Sequence, residues 1–154
     1  MNERENLSAV KIYPFSEIYI DDVAQIEQET FPEPWSKESL GLLCTDAYPS
    51  FVIGDGERVF GYVSAALSLD ELQIINVAVR PEYRGKGYAK ELLGELDVYC
   101  ARSGVVSISL EVRESNSAAI GLYSLCGYEI CGKRKGFYRL PREDALVMVK
   151  RLDR

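Results

Sequence analysis

Residues 72–90 read Leu-Gln-Ile-Ile-Asn-Val-Ala-Val-Arg-Pro-Glu-Tyr-Arg-Gly-Lys-Gly-Tyr-Ala-Lys. The first part, Leu72 to Val79, is nearly continuous in apolar and β-branched residues, which is typical of a strand buried on both faces. From Tyr88 to Arg102, apolar side chains recur instead at helical spacing, beginning with Ala89, Leu92, Leu93 and Leu96. The stretch therefore predicts a strand, a loop with two glycines and an amphipathic helix.

The loop between this strand and this helix has the features of an anion site. The first N–H groups of a helix have no partner within the helix, and the helix dipole favours a negative charge there. Gly85 and Gly87 lack Cβ atoms, so a phosphate could contact the main chain directly. Four basic residues face a single acid, Glu82, within residues 80–90: Arg80, Arg84, Lys86 and Lys90. The alternative is a glycine-rich turn that caps the helix with solvated charges.

Two common nucleotide-binding motifs do not fit this loop. A dinucleotide-binding fingerprint needs a third glycine near position 90, where Lys90 stands. A P-loop ends in Gly-Lys-Ser/Thr, whereas this loop ends in Gly87-Tyr88-Ala89. The expected ligand is therefore a polyanion bound in another way.

The remaining periodicities predict an α/β fold of the order βααβββαβαββ, with a mixed central sheet flanked by helices. The strand from Leu72 and the next one, on either side of a helix, should be parallel, and the hairpin before them antiparallel. Residues 1–154 are expected to form a single domain. The other predicted strands are Val10 to Phe15, Phe51 to Ile53, Val59 to Leu69, Val105 to Val112, Tyr128 to Cys131 and Ala145 to Leu152. The other predicted helices are Ile20 to Thr30, Lys37 to Leu43 with Ser36 as N-cap, and Ser117 to Leu125.

Composition narrows the class of protein. The net charge of −6 argues against a nucleic-acid binder. Met1 to Lys11 resembles neither a signal nor a transit peptide, and no stretch approaches the ~20 apolar residues of a membrane span, which predicts a cytoplasmic protein without membrane partners. With no histidine and no C-x-x-C pair among four cysteines, no metal site is expected, and the cysteines are predicted to be small core residues.

The charges are unevenly distributed along the chain. Residues 1–79 hold four basic and fourteen acidic side chains, and residues 80–154 hold fourteen basic and ten acidic ones. This suits a cationic substrate and an anionic cofactor, the alternative being an ordinary uneven surface. The stretch Gly132 to Arg142 carries five basic residues and no acid. It is predicted to be a solvated loop, with contact to acidic residues of a peptide as the alternative.

Three polar residues are candidates for chemistry. Glu111 falls at the C-terminal end of a predicted parallel strand, where open α/β sheets bind ligands. Asn116 and Tyr123 are seven residues apart and so share one helix face. Each has a structural alternative: a solvated strand end for Glu111, a helix N-cap for Asn116 and a packing aromatic for Tyr123.

The loop and these residues also resemble the sequence motifs of a known protein family. Arg84-x-x-Gly87-x-Ala89, preceded by Val77-Ala78-Val79-Arg80-Pro81-Glu82-Tyr83, is similar to the acetyl-CoA-binding segment of the GCN5-related N-acetyltransferase (GNAT) superfamily. Further segments resemble the RimI-like and archaeal protein N-terminal acetyltransferases. They are Phe31-Pro32-Glu33-Pro34-Trp35-Ser36, Leu110-Glu111-Val112-Arg113, Ser115-Asn116, Ala118-Ala119-Ile120, Leu122-Tyr123, Gly127-Tyr128 and Phe137-Tyr138.

The resemblance implies an enzyme that acetylates the α-amino group of protein or peptide N-termini with acetyl-CoA. The counterpart of Glu111 acts as base through water, and that of Tyr123 protonates the CoA sulfur. Asn116 would bind the pantetheine arm, and Phe31, Pro32 and Tyr138 would flank the peptide. The CoA contacts would come from Val77, Ala78 and Val79 for the pantetheine, and from Arg84, Gly85, Lys86, Gly87, Tyr88 and Ala89 for the diphosphate.

Two other functions remain compatible with these motifs. An acetyltransferase for a small amine, such as a polyamine or an antibiotic, would have the same cofactor half. A non-catalytic acyl-CoA-binding module would keep the loop without turnover. An auxiliary subunit and a homodimer are both compatible with the sequence.

Overall fold

The computed structural model describes residues 9–152, and this part of the chain forms seven strands and four α-helices. The strands are β1 (Lys11–Pro14), β2 (Phe51–Gly54), β3 (Val59–Ser68), β4 (Glu71–Val79), β5 (Ser107–Arg113), β6 (Glu129–Arg139) and β7 (Arg142–Arg151). The helices are α1 (Ile20–Thr30), α2 (Lys37–Leu40), α3 (Tyr88–Ser103) and α4 (Ser117–Leu125). The predicted order is confirmed. The first eight residues of the polar N-terminal segment lie outside the described residues.

One mixed sheet joins all seven strands in the order β1-β2-β3-β4-β5-β7-β6. The pair β4 and β5 is parallel and its neighbours are antiparallel, as expected from the sequence. This parallel pairing covers only Glu71–Gln73 against Ser107–Ser109. Beyond that point the two strands separate, so a gap opens in the middle of the sheet.

Helices cover both faces of the sheet. Alternate residues of β2 and β3 belong to two separate cores, as the strand period of two requires. Val52 and Tyr62 pack with α1 and α2, whereas Ile53 and Val63 pack with α3 and α4. Among residues 9–152, no helix is long and apolar enough to cross a membrane.

Two predictions about burial were wrong. The strand beginning at Leu72 is not buried on both faces, because Gln73 is exposed and Val77 is half-buried where the sheet opens. The cysteines are not all core residues either: Cys100 is buried, but Cys44 and Cys131 are exposed. Cys131 lies on β6, an edge strand whose residues 129–135 are all exposed.

Two element boundaries also differ from prediction. Gly132 to Arg142 is not a loop, because most of it extends β6, where Lys133 and Arg134 pair with Leu146 and Ala145 of β7. Charged side chains suit this exposed edge, since they discourage pairing with another chain. Helix α2 ends at Leu40 and continues as a 3₁₀ turn to Cys44, although the predicted cap is confirmed: the Ser39 N–H donates to Ser36 Oγ over 3.1 Å.

Candidate active site

The separation of β4 from β5 creates a cavity of ≈ 640 Å³. Its floor is made by Gln73 to Val77 of β4 and Leu110 to Arg113 of β5. One wall is the connection between α1 and α2, and the other is the turn between β6 and β7. The size is within the range of cavities that bind small molecules.

Seven of the predicted site residues line this cavity. They are Phe31, Pro32, Val77, Glu111, Asn116, Tyr123 and Tyr138. The fold thus collects them from the helical connection, two strands, α4 and the final hairpin. Asn116 and Tyr123 both face the cavity, as their spacing on one helix predicts.

The other predicted cofactor residues lie beyond the cavity, at the end of β4. Ala78 is buried in the core beneath α1 and α2, so only its backbone is available at the gap. Val79 is half-buried, and the glycine loop from Arg84 to Ala89 follows it into α3. The cavity and the loop are therefore two parts of a longer groove along the free edge of β4.

The loop has the backbone that its glycines predict. Gly85 and Gly87 have φ angles of +79° and +82°, a left-handed conformation that strongly favours glycine. A Cβ atom on either residue would project into open space. Tyr83 and Tyr88, on either side of the loop, stack on Phe60 of β3 with ring centroids 3.9 and 5.5 Å away. The rings hold the loop against the sheet.

Glu111 has two side-chain partners that the sequence does not predict, Gln73 and Arg134. Its side chain is 11% exposed, and Gln73 Nε2 donates to its two oxygens over 3.3 and 3.0 Å. Arg134 Nε lies 3.4 Å from Glu111 Oε1. In the sequence, Gln73 is distinguished only as a polar residue within an apolar strand. Arg134 is not distinguished from the other basic residues of Gly132 to Arg142. Together they orient the carboxylate at the floor of the cavity.

Tyr123 is a buried phenol at the same cavity. It is 9% exposed, and burial raises its pKa to about 12, with smaller contributions from Tyr138 and Cys126. The hydroxyl therefore keeps its proton at neutral pH and can act as a donor. Asn116, about two turns before it, is the N-cap of α4: its Oδ1 accepts from the Ala119 N–H over 3.2 Å. The capping role and the cavity position coexist.

Tyr138 is half-buried at the cavity. The Arg113 guanidinium lies over its ring, 4.2 Å from the centroid. Burial raises the pKa of Tyr138, and the nearby Arg113 lowers it. Arg113 also donates to the carbonyl oxygens of Leu140 and Pro141 over 3.0 and 2.9 Å. Arg113 of β5 thereby fixes the turn that carries Tyr138.

The basic stretch is largely neutralised by acids from elsewhere in the fold. Lys133 Nζ lies 2.9 Å from Glu114 Oε1, and Arg134 pairs with Glu111. Arg139 Nη2 lies 3.0 Å from Glu33 Oε2, which joins the two walls of the cavity at its mouth. The described residues include no group of three or more His, Cys, Asp or Glu side chains arranged to hold a metal ion.

Comparison with known proteins agrees with this geometry. The family model described as "Acetyltransferase (GNAT) family" matches residues 20–128. The chain is 34% identical over 145 residues to the [ribosomal protein bS18]-alanine N-acetyltransferase of Haemophilus influenzae, covering 92% of this chain and 95% of the relative. Identity to the protein of the same description from Escherichia coli K12 is 33% over 125 residues, covering 80% and 84%. The crystal structure of the ribosomal-protein-S18-alanine N-acetyltransferase from Escherichia coli superimposes with a TM-score of 0.87 at 28% identity, covering 95% and 96%.

Proposed function

The chain belongs to the acetyltransferase (GNAT) family, and on this premise we propose that it acetylates the α-amino group of protein N-termini with acetyl-CoA. The observation that carries the proposal is the convergence of Glu111, Tyr123 and Tyr138 in one cavity beside the glycine loop. The proposed enzyme is a single acetyltransferase domain over residues 1–154. The bS18-alanine activity of the relatives is the model for its substrate, and a cytoplasmic location follows from such a substrate.

The groove along β4 fits the extended shape and charge of acetyl-CoA. Beyond Gln73, β4 has no pairing with β5, so its backbone edge at Val77 and Ala78 is open to the amide groups of a pantetheine arm, whereas the Val79 carbonyl oxygen already accepts from Arg84 Nε over 3.0 Å. The loop from Arg84 to Ala89 offers main-chain N–H groups at the start of α3 to a diphosphate. Asn116 has an amide nitrogen that can donate to the same arm while its oxygen caps α4.

Glu111 and Tyr123 are assigned the proton transfers. Acetyl-CoA supplies the acetyl thioester. Glu111, whose carboxylate is held in place by Gln73 and Arg134, would accept the proton of the attacking amine through a water molecule. Tyr123 would donate its proton to the departing sulfur. An α-amino group has a pKa of about 7.7–8.0, so a moderate base is sufficient near neutral pH.

The two walls of the cavity would hold the acceptor peptide. Phe31 and Pro32 lie on one wall and Tyr138 on the other. The Glu33 and Arg139 ion pair joins these walls at the mouth, which narrows the entrance. We infer that such an entrance suits the free end of a chain and favours a terminal amine over a lysine in the middle of a folded surface.

The proposal is tested by measuring thiol release from acetyl-CoA with a panel of acceptors. The panel contains peptides beginning with alanine and other residues, the same peptides with a blocked N-terminus and one internal lysine, and free polyamines. We expect turnover with free N-termini and loss of turnover when the N-terminus is blocked. Turnover with polyamines but with no peptide would contradict the protein substrate. No thiol release with any acceptor, despite CoA binding, would indicate a binding module.

Replacing Gly87 with alanine is expected to weaken acetyl-CoA binding by about tenfold and to destabilise the fold by roughly 1 kcal/mol. The native φ of +82° is strained for any residue that has a Cβ, and the new Cβ projects into the open space proposed for the diphosphate. The matched control is Gly94→Ala in α3, which has an ordinary helical φ and an open side-chain position. It should add stability and leave the Kd for CoA unchanged, as measured by calorimetry and thermal unfolding. Equal CoA affinity in both variants would remove the loop from the cofactor site.

A further inference from the structure

Glu27 is a buried charged residue for which the proposed chemistry has no use. It lies in α1 and is 1% exposed, within the core beneath α1 and α2. Burial raises its pKa, and hydrogen bonds from the Trp35 N–H and the Asn76 amide lower it. A buried carboxylate is costly unless it is fully hydrogen-bonded, so its contacts require an explanation.

Three donors from three different elements converge on this carboxylate. The Trp35 backbone N–H donates to Glu27 Oε1 over 2.8 Å. Asn76 Nδ2 donates to Oε2 over 3.0 Å, and the Tyr62 hydroxyl donates to the same oxygen. Trp35 lies in the connection between α1 and α2, Asn76 lies in β4 and Tyr62 lies in β3.

Two of these donors belong to different parts of the cavity, one to a wall and one to the floor. Trp35 follows Phe31 and Pro32 in the wall proposed for the acceptor. Asn76 precedes Val77 in the strand proposed for the cofactor. The strand is irregular here, because Asn76 pairs with Ser64 while Ile74 pairs with Ala65, which leaves Ile75 as an extra residue. The Asn76 N–H donates to the Ser64 hydroxyl over 3.1 Å. Glu27 therefore holds an irregular strand and an irregular loop at once.

We propose that Glu27 is a positioning residue that sets the spacing between the acceptor wall, Phe31 to Trp35, and the cofactor strand β4. This inference rests on the proposed function. Only a carboxylate offers two acceptor oxygens to these donors, since glutamine has one oxygen and an NH₂ group that must itself find an acceptor. A single amide oxygen can serve either the Trp35 N–H or the Asn76 amide, so glutamine weakens both contacts. The two acceptor oxygens of the side chain, and not only its size, are thus required to hold the wall and the strand together.

Glu27→Gln tests the proposal, because it keeps the volume of the side chain and removes one acceptor. We expect the KM for an alanine-terminated peptide to rise about tenfold and the Kd for CoA to rise about threefold, with kcat changed by less than about twofold. Glu111 and Tyr123 are untouched, so the chemical step should persist. Hydrogen exchange of the Trp35 amide should accelerate at least about tenfold in the same variant. Unchanged KM and unchanged Trp35 exchange would overturn the inference.

Two further variants separate positioning from general stability. Tyr62→Phe removes the third donor and leaves the contacts of Glu27 with Trp35 and Asn76, so KM and Kd should stay within about twofold of the wild type. Asn76→Ala cuts the link to β4 alone and should raise the Kd for CoA while Trp35 exchange stays slow. It also serves if Glu27→Gln does not fold. Equal effects of Tyr62→Phe and Asn76→Ala on CoA affinity would contradict the proposal, since both would then act through stability.

The measurements also distinguish this inference from the proposed function. Hydrogen exchange of the Trp35 amide and the affinity for CoA can both be measured without an acceptor peptide. If the wild type acetylates no peptide, but Glu27→Gln accelerates Trp35 exchange and weakens CoA binding, then the acceptor assignment fails and the positioning role stands.

Discussion

Replacement of Tyr123 with phenylalanine is expected to lower kcat by about 10²- to 10³-fold while the Kd for acetyl-CoA stays within about threefold. The ring is buried and packs against Tyr128, with centroids 5.8 Å apart, so phenylalanine preserves the packing and removes only the hydroxyl. The lost group is the proposed proton donor to the departing sulfur. Pre-steady-state and steady-state kinetics with an alanine-terminated peptide measure the effect.

The pH profile gives an independent check of this role. Because the pKa of Tyr123 is about 12, its proton is retained up to about pH 10. The wild-type kcat/KM should therefore show no alkaline decline from Tyr123 below that pH. Tyr128→Phe is the matched control, since it also removes a buried hydroxyl. Among residues 9–152 this hydroxyl has no hydrogen-bond partner, and Tyr128 does not line the cavity. Full activity of Tyr123→Phe, or an equal loss in Tyr128→Phe, would refute the acid assignment.

Glu111→Gln should lower kcat/KM by about 10²-fold near pH 7. Glutamine has the shape of glutamate and can keep a contact with Gln73, but it cannot accept the proton of the amine. The loss should shrink towards pH 9, because the α-amine, with a pKa of about 7.7–8.0, then deprotonates without help. The ratio of wild-type to variant rates across this pH range is the decisive measurement.

Glu114→Gln provides the control for this substitution. Glu114 follows Glu111 by three residues and is paired with Lys133, but it is exposed and outside the cavity lining. Its loss should change kcat/KM by less than about twofold, as is usual for an exposed ion pair. A Glu111→Gln enzyme with the wild-type rate at every pH would show that water alone removes the proton.

The glycine loop and the order of elements followed from the sequence for local reasons. Each signal is encoded within a few residues: a run of apolar and β-branched residues, two glycines and a helical spacing. The left-handed φ angles of Gly85 and Gly87 require those glycines. Asn116 and Tyr123 were placed on one face because helix geometry alone fixes the angle between them.

Burial and pairing could not be read in the same way. The apolar run from Leu72 predicts burial on both faces, but the sheet opens after Gln73, and nothing local to β4 encodes that β5 moves away. Likewise the basic residues after Gly132 suggest a solvated loop, because their acidic partners are far away in the chain. Arg139 pairs with Glu33, 106 residues earlier.

The sequence by itself therefore determined the fold class, the loop proposed for the diphosphate and the candidate pair Glu111 and Tyr123. Only the tertiary structure decided the contacts of the site residues. Gln73 and Arg134 contact Glu111, and Arg113 lies over the ring of Tyr138. Glu27 binds both the acceptor wall and β4. The physical reason is that backbone conformation depends on near neighbours, whereas a hydrogen bond between side chains depends on strand register. The register that places Asn76 beside Glu27 includes an extra residue, Ile75, which packing across the whole sheet selects.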